Sequence, residues 1–180
     1  MIKVIALDLV GVLVREVIEL EGIEDKIERF FGPNKSDEEF INQVKEITNL
    51  NETEIVEIAK NIINKLYGLK DKDIVNKLKE NYPNIKLVIA TNHVSYIKEY
   101  IKNNIDIEDI IISADINKIK PNHDFYYEVA NILKEEPSNI LFVDDNQNNI
   151  DGAKEIGMKT IKIDRYDDVF DKIDRYLNEI

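Results

Sequence analysis

The stretch Asn139-Ile-Leu-Phe-Val-Asp-Asp-Asn-Gln-Asn-Asn-Ile-Asp-Gly-Ala-Lys-Glu-Ile-Gly-Met158 decides the fold of this chain. Within it, Ile140 to Val143 is an apolar run that reads as a buried strand, and it stops abruptly at two carboxylates, Asp144 and Asp145. A helical pattern follows, with Ile150, Ala153 and Ile156 on its apolar face. An open α/β sheet places its ligands at the carboxyl ends of its strands, which is where this acid pair falls. Adjacent like charges repel unless a cation joins them. The pair therefore predicts a site for a hard, oxygen-seeking metal such as Mg²⁺.

The same grammar recurs upstream. Ile2-Lys-Val-Ile-Ala-Leu7 is a short apolar strand that delivers Asp8, with Leu9-Val-Gly-Val-Leu-Val14 after it. Leu87-Val-Ile-Ala-Thr91-Asn92 ends a second apolar strand in a hydroxyl and an amide. Lys118-Ile-Lys-Pro-Asn-His-Asp-Phe125 holds Lys120 in a loop fixed by Pro121. In chain order the chain thus presents an acid, a hydroxyl, a lysine and an acid pair, each at a strand end or in the loop beyond one.

That order and context resemble the haloacid dehalogenase-like hydrolases, over the chain from end to end. The resemblance is nearest to subfamily IA, the branch with a helical cap after the first motif and a double aspartate in the last. Phe142-Val-Asp-Asp-Asn-Gln-Asn-Asn-Ile-Asp-Gly-Ala153 looks much like the corresponding run of bacterial glucose-1-phosphate phosphatases in that branch. The fold it implies is α/β, a doubly wound, Rossmann-like parallel sheet with a small helical cap inserted after the first strand.

At 180 residues the chain suits one core with a small insertion and can bury a sizeable hydrophobic centre. Cysteine is absent, which excludes a disulfide framework, a zinc–thiolate site and a thiol nucleophile. No apolar span approaches the roughly twenty residues that cross a membrane, and the opening segment lacks a signal-peptide pattern, so a cytoplasmic protein is expected. A net charge of −12 argues against nucleic acid, whose phosphates need clustered cations. It leaves room for a small phosphorylated molecule, because one metal and one lysine reverse the field locally.

The insertion is legible as helix. Ile23, Ile27, Phe30 and Phe31 recur at helical spacing, closed by Gly32-Pro33. Ser36-Asp-Glu-Glu is a capping start for a helix with Phe40, Val44 and Ile47. Asn51-Glu-Thr-Glu opens another with Ile55, Ile58, Ile62 and Leu66 on one face, stopped at Gly68, and Asp71 begins a helix bearing Ile74, Val75 and Leu78. Glu16 to Asn81 reads as helical throughout. The expected division is a core of residues 1–14 and 69–180 with a cap of residues 15–68. Beyond it, strands 85–90, 110–113, 140–143 and 160–163 alternate with helices, the pattern of a parallel sheet covered on both faces.

The resemblance implies a mechanism. Asp8 is the candidate nucleophile, splitting phosphate ester hydrolysis into formation and breakdown of an aspartyl-phosphate. Thr91 and Asn92 would hold the phosphoryl group, and Lys120 would neutralise both it and the nucleophile. Asp8, Asp144, Asp145 and the backbone carbonyl of Val10 form the implied Mg²⁺ set. One departure matters: the family's phosphatases usually carry a second aspartate, a general acid and base, where this chain has Val10. An anomeric sugar phosphate, whose leaving oxygen is acidic, would suffer least from that loss. His93 and His123, the only histidines, fall in the site loops as candidate replacements or as ordinary loop residues.

Two other readings share these residues. A haloacid dehalogenase would use Asp8 against carbon without metal, which the acid pair and Val12 oppose. A phosphate-ligand binding protein on the same fold would follow if Val10 marks lost turnover. A phosphorelay receiver uses the same residue set in a different chain order and has no cap-sized insertion. The expected partners are a small-molecule phosphate and, through the cap surface, a second copy of the chain.

Overall fold

The computed structural model describes residues 1–32 and 34–179. Among these, strands β1 (Val4–Leu7), β4 (Lys86–Thr91), β5 (Asp109–Ile112), β6 (Ile140–Asp144) and β7 (Lys159–Lys162) form one sheet in the order β5-β4-β1-β6-β7. All of its pairings are parallel. Strands β1, β4 and β6 are short, nearly uninterrupted apolar runs because both faces of the sheet are covered at its centre. Alternation sorts their side chains. Val4, Ala6, Val88, Ile140 and Phe142 pack on one face with helix α7 (His123–Leu133) and with Ala153 of helix α8 (Gln147–Glu155). Ile5, Leu7, Ile89, Leu141 and Val143 pack on the other, with α4 (Ile74–Asn81), α5 (Ile97–Asn104) and α9 (Val169–Glu179).

Helices α1 (Gly22–Glu28), α2 (Asp37–Ile47) and α3 (Glu52–Leu66) occupy the segment between β1 and β4. The capping signals act as read. The Ser36 hydroxyl accepts the Glu39 N–H at 3.1 Å. Asn51 and Glu54 form a reciprocal capping box, each accepting the other's backbone N–H. Of the Gly32-Pro33 stop, Pro33 lies outside the described residues.

The expectation of helix throughout Glu16 to Asn81 needs correction. Strand β2 (Val14–Glu16) pairs antiparallel with β3 (Tyr67–Leu69), and Val17 N–H to Leu66 O and Lys70 N–H to Leu13 O continue the ribbon at 2.8 and 2.9 Å. Helix α3 ends at Leu66, and Gly68 is a strand residue rather than a helix stop. A Cβ there would meet Val17 Cγ1 at 2.6 Å, so close approach of the two strands explains the glycine. A second correction is smaller: Ser113 opens a one-turn helix α6 (Ser113–Ile116) instead of ending β5.

Candidate active site

Because β4 and β6 flank β1, the sheet order itself gathers Thr91, Asp8 and Asp144 at adjacent strand ends. The Asp8 N–H donates to Val143 O at 2.9 Å, which continues the β1–β6 ladder into the site. Lys120 enters from the loop before α7, followed by a cis peptide to Pro121, and its ammonium is buried. Its Nζ lies 2.9 Å from Asp8 Oδ1, 2.7 Å from Asp144 Oδ2 and 3.2 Å from the Ala90 carbonyl. A surface role for this lysine is therefore excluded. Thr91 is buried beside it.

The electrostatics follow from burial. Asp8 is pushed up to about 6, first by desolvation, against the pull of the Lys120 cation and with a further push from Asp144. Burial also works against the Lys120 cation, but the two carboxylates outweigh it and hold its pKa above the ordinary lysine value. Asp145 is raised too, by partial desolvation and by its neighbour Asp144. One lysine against three acids leaves the pocket short of positive charge.

The acid pair divides into two roles. Asp144 is fully buried and surrounded by donors: Lys120 on Oδ2, the Asn146 N–H on Oδ1 at 2.8 Å, and Asn149 Nδ2 at 3.1 Å from both oxygens. Those contacts occupy the roughly four lone-pair directions of a carboxylate. Asp145 is exposed and lies over Gly11, where a Cβ would meet its Oδ2 at 2.2 Å. Gly11 also adopts φ +89°, so both its conformation and its space require glycine. Carboxylate oxygens of Asp8, Asp144 and Asp145 all lie within 4.8 Å of one another. Carboxylate oxygens are the hard donors that Mg²⁺ takes, so the chemistry of this cluster fits that ion, with Asp8 and Asp145 the acids left open to hold it.

Of the other sequence candidates, Asn92 is placed differently from expectation. The Asn92 side-chain amide, expected beside a ligand, is engaged on both sides by the Lys120 peptide: it accepts the Lys120 N–H and donates to the Lys120 carbonyl, both at 2.9 Å. Asn92 therefore positions the lysine loop. His93 is buried, its Nε2 3.2 Å from the Tyr67 hydroxyl and its Nδ1 3.2 Å from the Val94 carbonyl. Burial lowers its pKa to about 4, which keeps it neutral. His123 is exposed and pairs with Glu155 at 2.6 Å. Neither histidine stands in for the missing acid. Val10 lies in the turn after Asp8, bridged to Val14. Tyr126 packs edge-on against Phe142 and donates its hydroxyl to the Asn149 carbonyl at 2.7 Å, a core role.

Sequence reasoning missed the supports of the Thr91 loop. Ser113 Oγ accepts the His93 N–H at 3.0 Å, and Asp37 at the start of α2 accepts the Ser95 N–H at 2.8 Å and the Ser95 hydroxyl. The second link ties the helical insertion to the site loop. An aspartate in a first helical turn reads as a capping acid, so nothing in the sequence singled it out.

With the geometry in place, comparison with known proteins is informative. Residues 2–157 match the family model described as haloacid dehalogenase-like hydrolase. The chain belongs to that family and is a hydrolase of α/β fold. A HAD-like family hydrolase from Porphyromonas gingivalis superposes over 100% of both chains, with a TM-score of 0.73 at 20% identity. A HAD family enzyme from Bacteroides thetaiotaomicron, solved with magnesium and inorganic phosphate, matches over 93% of this chain and 97% of its own, TM-score 0.69, 16% identity. The L-2-haloacid dehalogenase of Xanthobacter autotrophicus, solved with chloropropionic acid covalently bound, matches over 99% of this chain and 83% of its own, TM-score 0.65, 18% identity.

Proposed function

We propose that this hydrolase is a Mg²⁺-dependent phosphatase acting on a small phosphorylated metabolite through an aspartyl-phosphate at Asp8. The observation that carries the reading is the buried Asp8–Lys120–Asp144 contact beside Asp145: a nucleophile-grade carboxylate, a cation and open carboxylate oxygens in one place. A bound divalent cation would supply the positive charge that this acid-rich pocket lacks. Asp8 and Asp145 offer it open oxygens, Asp144 braces the set, and the Val10 carbonyl is a further candidate ligand. The relative solved with magnesium and inorganic phosphate supports the same reading.

The chain's own residues then divide the work. An Asp8 oxygen attacks phosphorus, and the bond from phosphorus to the ester oxygen breaks. Lys120 offsets the charge gathered on Asp8 and the phosphoryl oxygens, and Thr91 holds one of those oxygens. Water then attacks phosphorus, the bond to Asp8 breaks, and inorganic phosphate leaves. With Val10 in place of an acid and both histidines committed elsewhere, the leaving oxygen takes its proton from solvent. Substrates with acidic leaving groups, such as anomeric sugar phosphates, fit that deficit.

We assign residues 15–68 as a cap and residues 1–14 and 69–180 as the core. Support comes from α1, α2 and α3 lying outside the main sheet and from the β2–β3 ribbon at the two ends of the segment.

The test is turnover of a generic phosphate monoester. Activity should vanish with EDTA, return with Mg²⁺, and fall to background in Asp8→Asn. Undiminished turnover in metal-free protein would overturn the metal requirement, and halide release from a 2-haloacid without phosphate ester turnover would favour dehalogenase-type attack on carbon.

A further inference from the structure

Beside Asp145 lies a cavity of about 470 Å³, within the range of small-molecule sites. Its wall includes Gly11, Arg15, Lys70, Asp145, Lys162 and Arg165. Four of the chain's 24 lysines and arginines meet here, in a protein with 36 acidic residues and a net charge of −12. Two of its four arginines are among them. The concentration of cations opposes the overall field.

The cations are not equally free. Lys70 donates to the Gly11 carbonyl at 2.8 Å, which fixes it against the turn after Asp8, and Lys162 is paired with Asp164. Arg15 and Arg165 are exposed, and among the described residues neither forms an ion pair with a carboxylate. The Arg165 guanidinium lies 5.7 Å from the Tyr166 ring centroid, within cation–π range. They come from unrelated places, Arg15 from strand β2 and Arg165 from the loop after β7. Only the folded chain sets them on one cavity.

The cavity shares Gly11 and Asp145 with the acid cluster. A phosphoryl group at Asp8 and a ligand group in the cavity are therefore neighbours across one carboxylate. We infer that the cavity is a subsite for a second anionic group, a carboxylate or phosphate carried by the leaving part of the substrate, gripped by Arg15 and Arg165. Both arginines present forks suited to two-pronged contact with such a group. This inference rests on the phosphatase reading and narrows it to substrates with two anionic ends.

Binding of non-hydrolysable phosphonates tests it without relying on turnover. A ladder of ω-carboxyalkyl phosphonates of increasing chain length is compared with the matching ω-hydroxyalkyl phosphonates, in the presence of Mg²⁺, by calorimetry. At the length that spans the two sites, the carboxylate member should bind on the order of tenfold more tightly than its hydroxyl partner. That preference should collapse to near parity in Arg15→Gln/Arg165→Gln, whose positions are exposed and tolerate the change. Parity at every length in wild type, or a preference that survives the double substitution, would overturn the subsite. Failure of the phosphatase reading has a different signature: no hydrolysis of 4-nitrophenyl phosphate while the phosphonate preference persists.

Discussion

The Asn92 side chain grips the Lys120 peptide from both sides, accepting its N–H and donating to its carbonyl at 2.9 Å each. The two residues belong to different loops, one after β4 and the other before α7, so this amide pair sets where the buried ammonium stands relative to Asp8. Asn92→Ala should lower kcat by on the order of 10²-fold, because under the proposed mechanism a small misplacement of the Lys120 cation is costly. The loss of two hydrogen bonds should cost about 1–3 kcal/mol of stability. Steady-state kinetics and urea unfolding check both; an unchanged kcat would place lysine positioning elsewhere.

Lys120 is the sole buried cation between Asp8 and Asp144 among the described residues. Lys120→Met removes one partner of a buried charge cluster and leaves the acids facing each other. Metal-free protein should lose on the order of 3–5 kcal/mol. Added Mg²⁺ should restore part of it, since a bound cation offsets the same repulsion. Unfolding curves with and without Mg²⁺ decide the matter, and a variant as stable as wild type in EDTA would contradict the prediction.

Asp144 is saturated by donors and Asp145 is open, so the two acids should respond differently to amidation. Asp145→Asn should weaken Mg²⁺ binding by at least about tenfold with little change in metal-free stability. Asp144→Asn should destabilise the metal-free fold, because Lys120 and Asn149 lose the charged acceptor they surround. Mg²⁺ titration by calorimetry and thermal unfolding in EDTA separate these effects. Equal metal affinity in wild type and Asp145→Asn would remove Asp145 from the ligand set.

The valine at position 10 makes a kinetic prediction. Values of kcat/KM should fall steeply as leaving-group pKa rises, so aryl and anomeric phosphates should outpace alkyl phosphates. Val10→Asp should flatten the slope and raise alkyl phosphate turnover by about 10²-fold, the usual scale of general acid catalysis. His93→Gln and His123→Gln should leave the slope as it is, given the buried neutral state of one and the Glu155 pairing of the other. A slope already flat in wild type would mean that protonation is not the deficit.

Two buried groups should impose opposite pH dependences on metal-free stability. His93 has its folded-state pKa depressed to about 4 by burial, so its contribution is present above about 6.5 and lost as pH falls toward 4. Asp8 is raised to about 6 by burial, so the stability of its neutral form is present below about 3.8 and lost as pH rises through 6. Each amounts to about 3 kcal/mol at most, by the free energy of a pKa shift. Urea unfolding at several pH values should show His93→Gln steepening the decline with rising pH and Asp8→Asn reversing it. Parallel profiles for the three proteins would contradict both assignments.

The strand ends were the readable part of this molecule. Ile140 to Val143 and Val4 to Leu7 are apolar because both sheet faces are covered, so the first polar residue after each run marks the edge of the candidate site. Pairing across the sheet was not needed to see Asp8, Thr91 or Asp144. The β2–β3 ribbon was not readable, because three residues per strand are too few to display alternation and Gly68 mimics a helix stop. Asn149 lies beyond such reading, because only the docking of α8 against β6 turns its amide toward Asp144 instead of solvent. Arg15 and Arg165 carry no local signal at all, since their meeting is a product of topology.

The ribbon of Val14–Glu16 against Tyr67–Leu69 has a mechanical consequence. Both passages of chain between the sheet and helices α1 to α3 run through it, side by side and hydrogen-bonded to each other. They cannot flex independently. The insertion thus hangs from a single stiff joint rather than two loose tethers, and any opening over Asp8 must bend that joint while breaking the latch from Asp37 to Ser95 at the far side. Arg15 lies on this ribbon and is exposed. An opening stroke would carry one jaw of the cationic cavity away from the other.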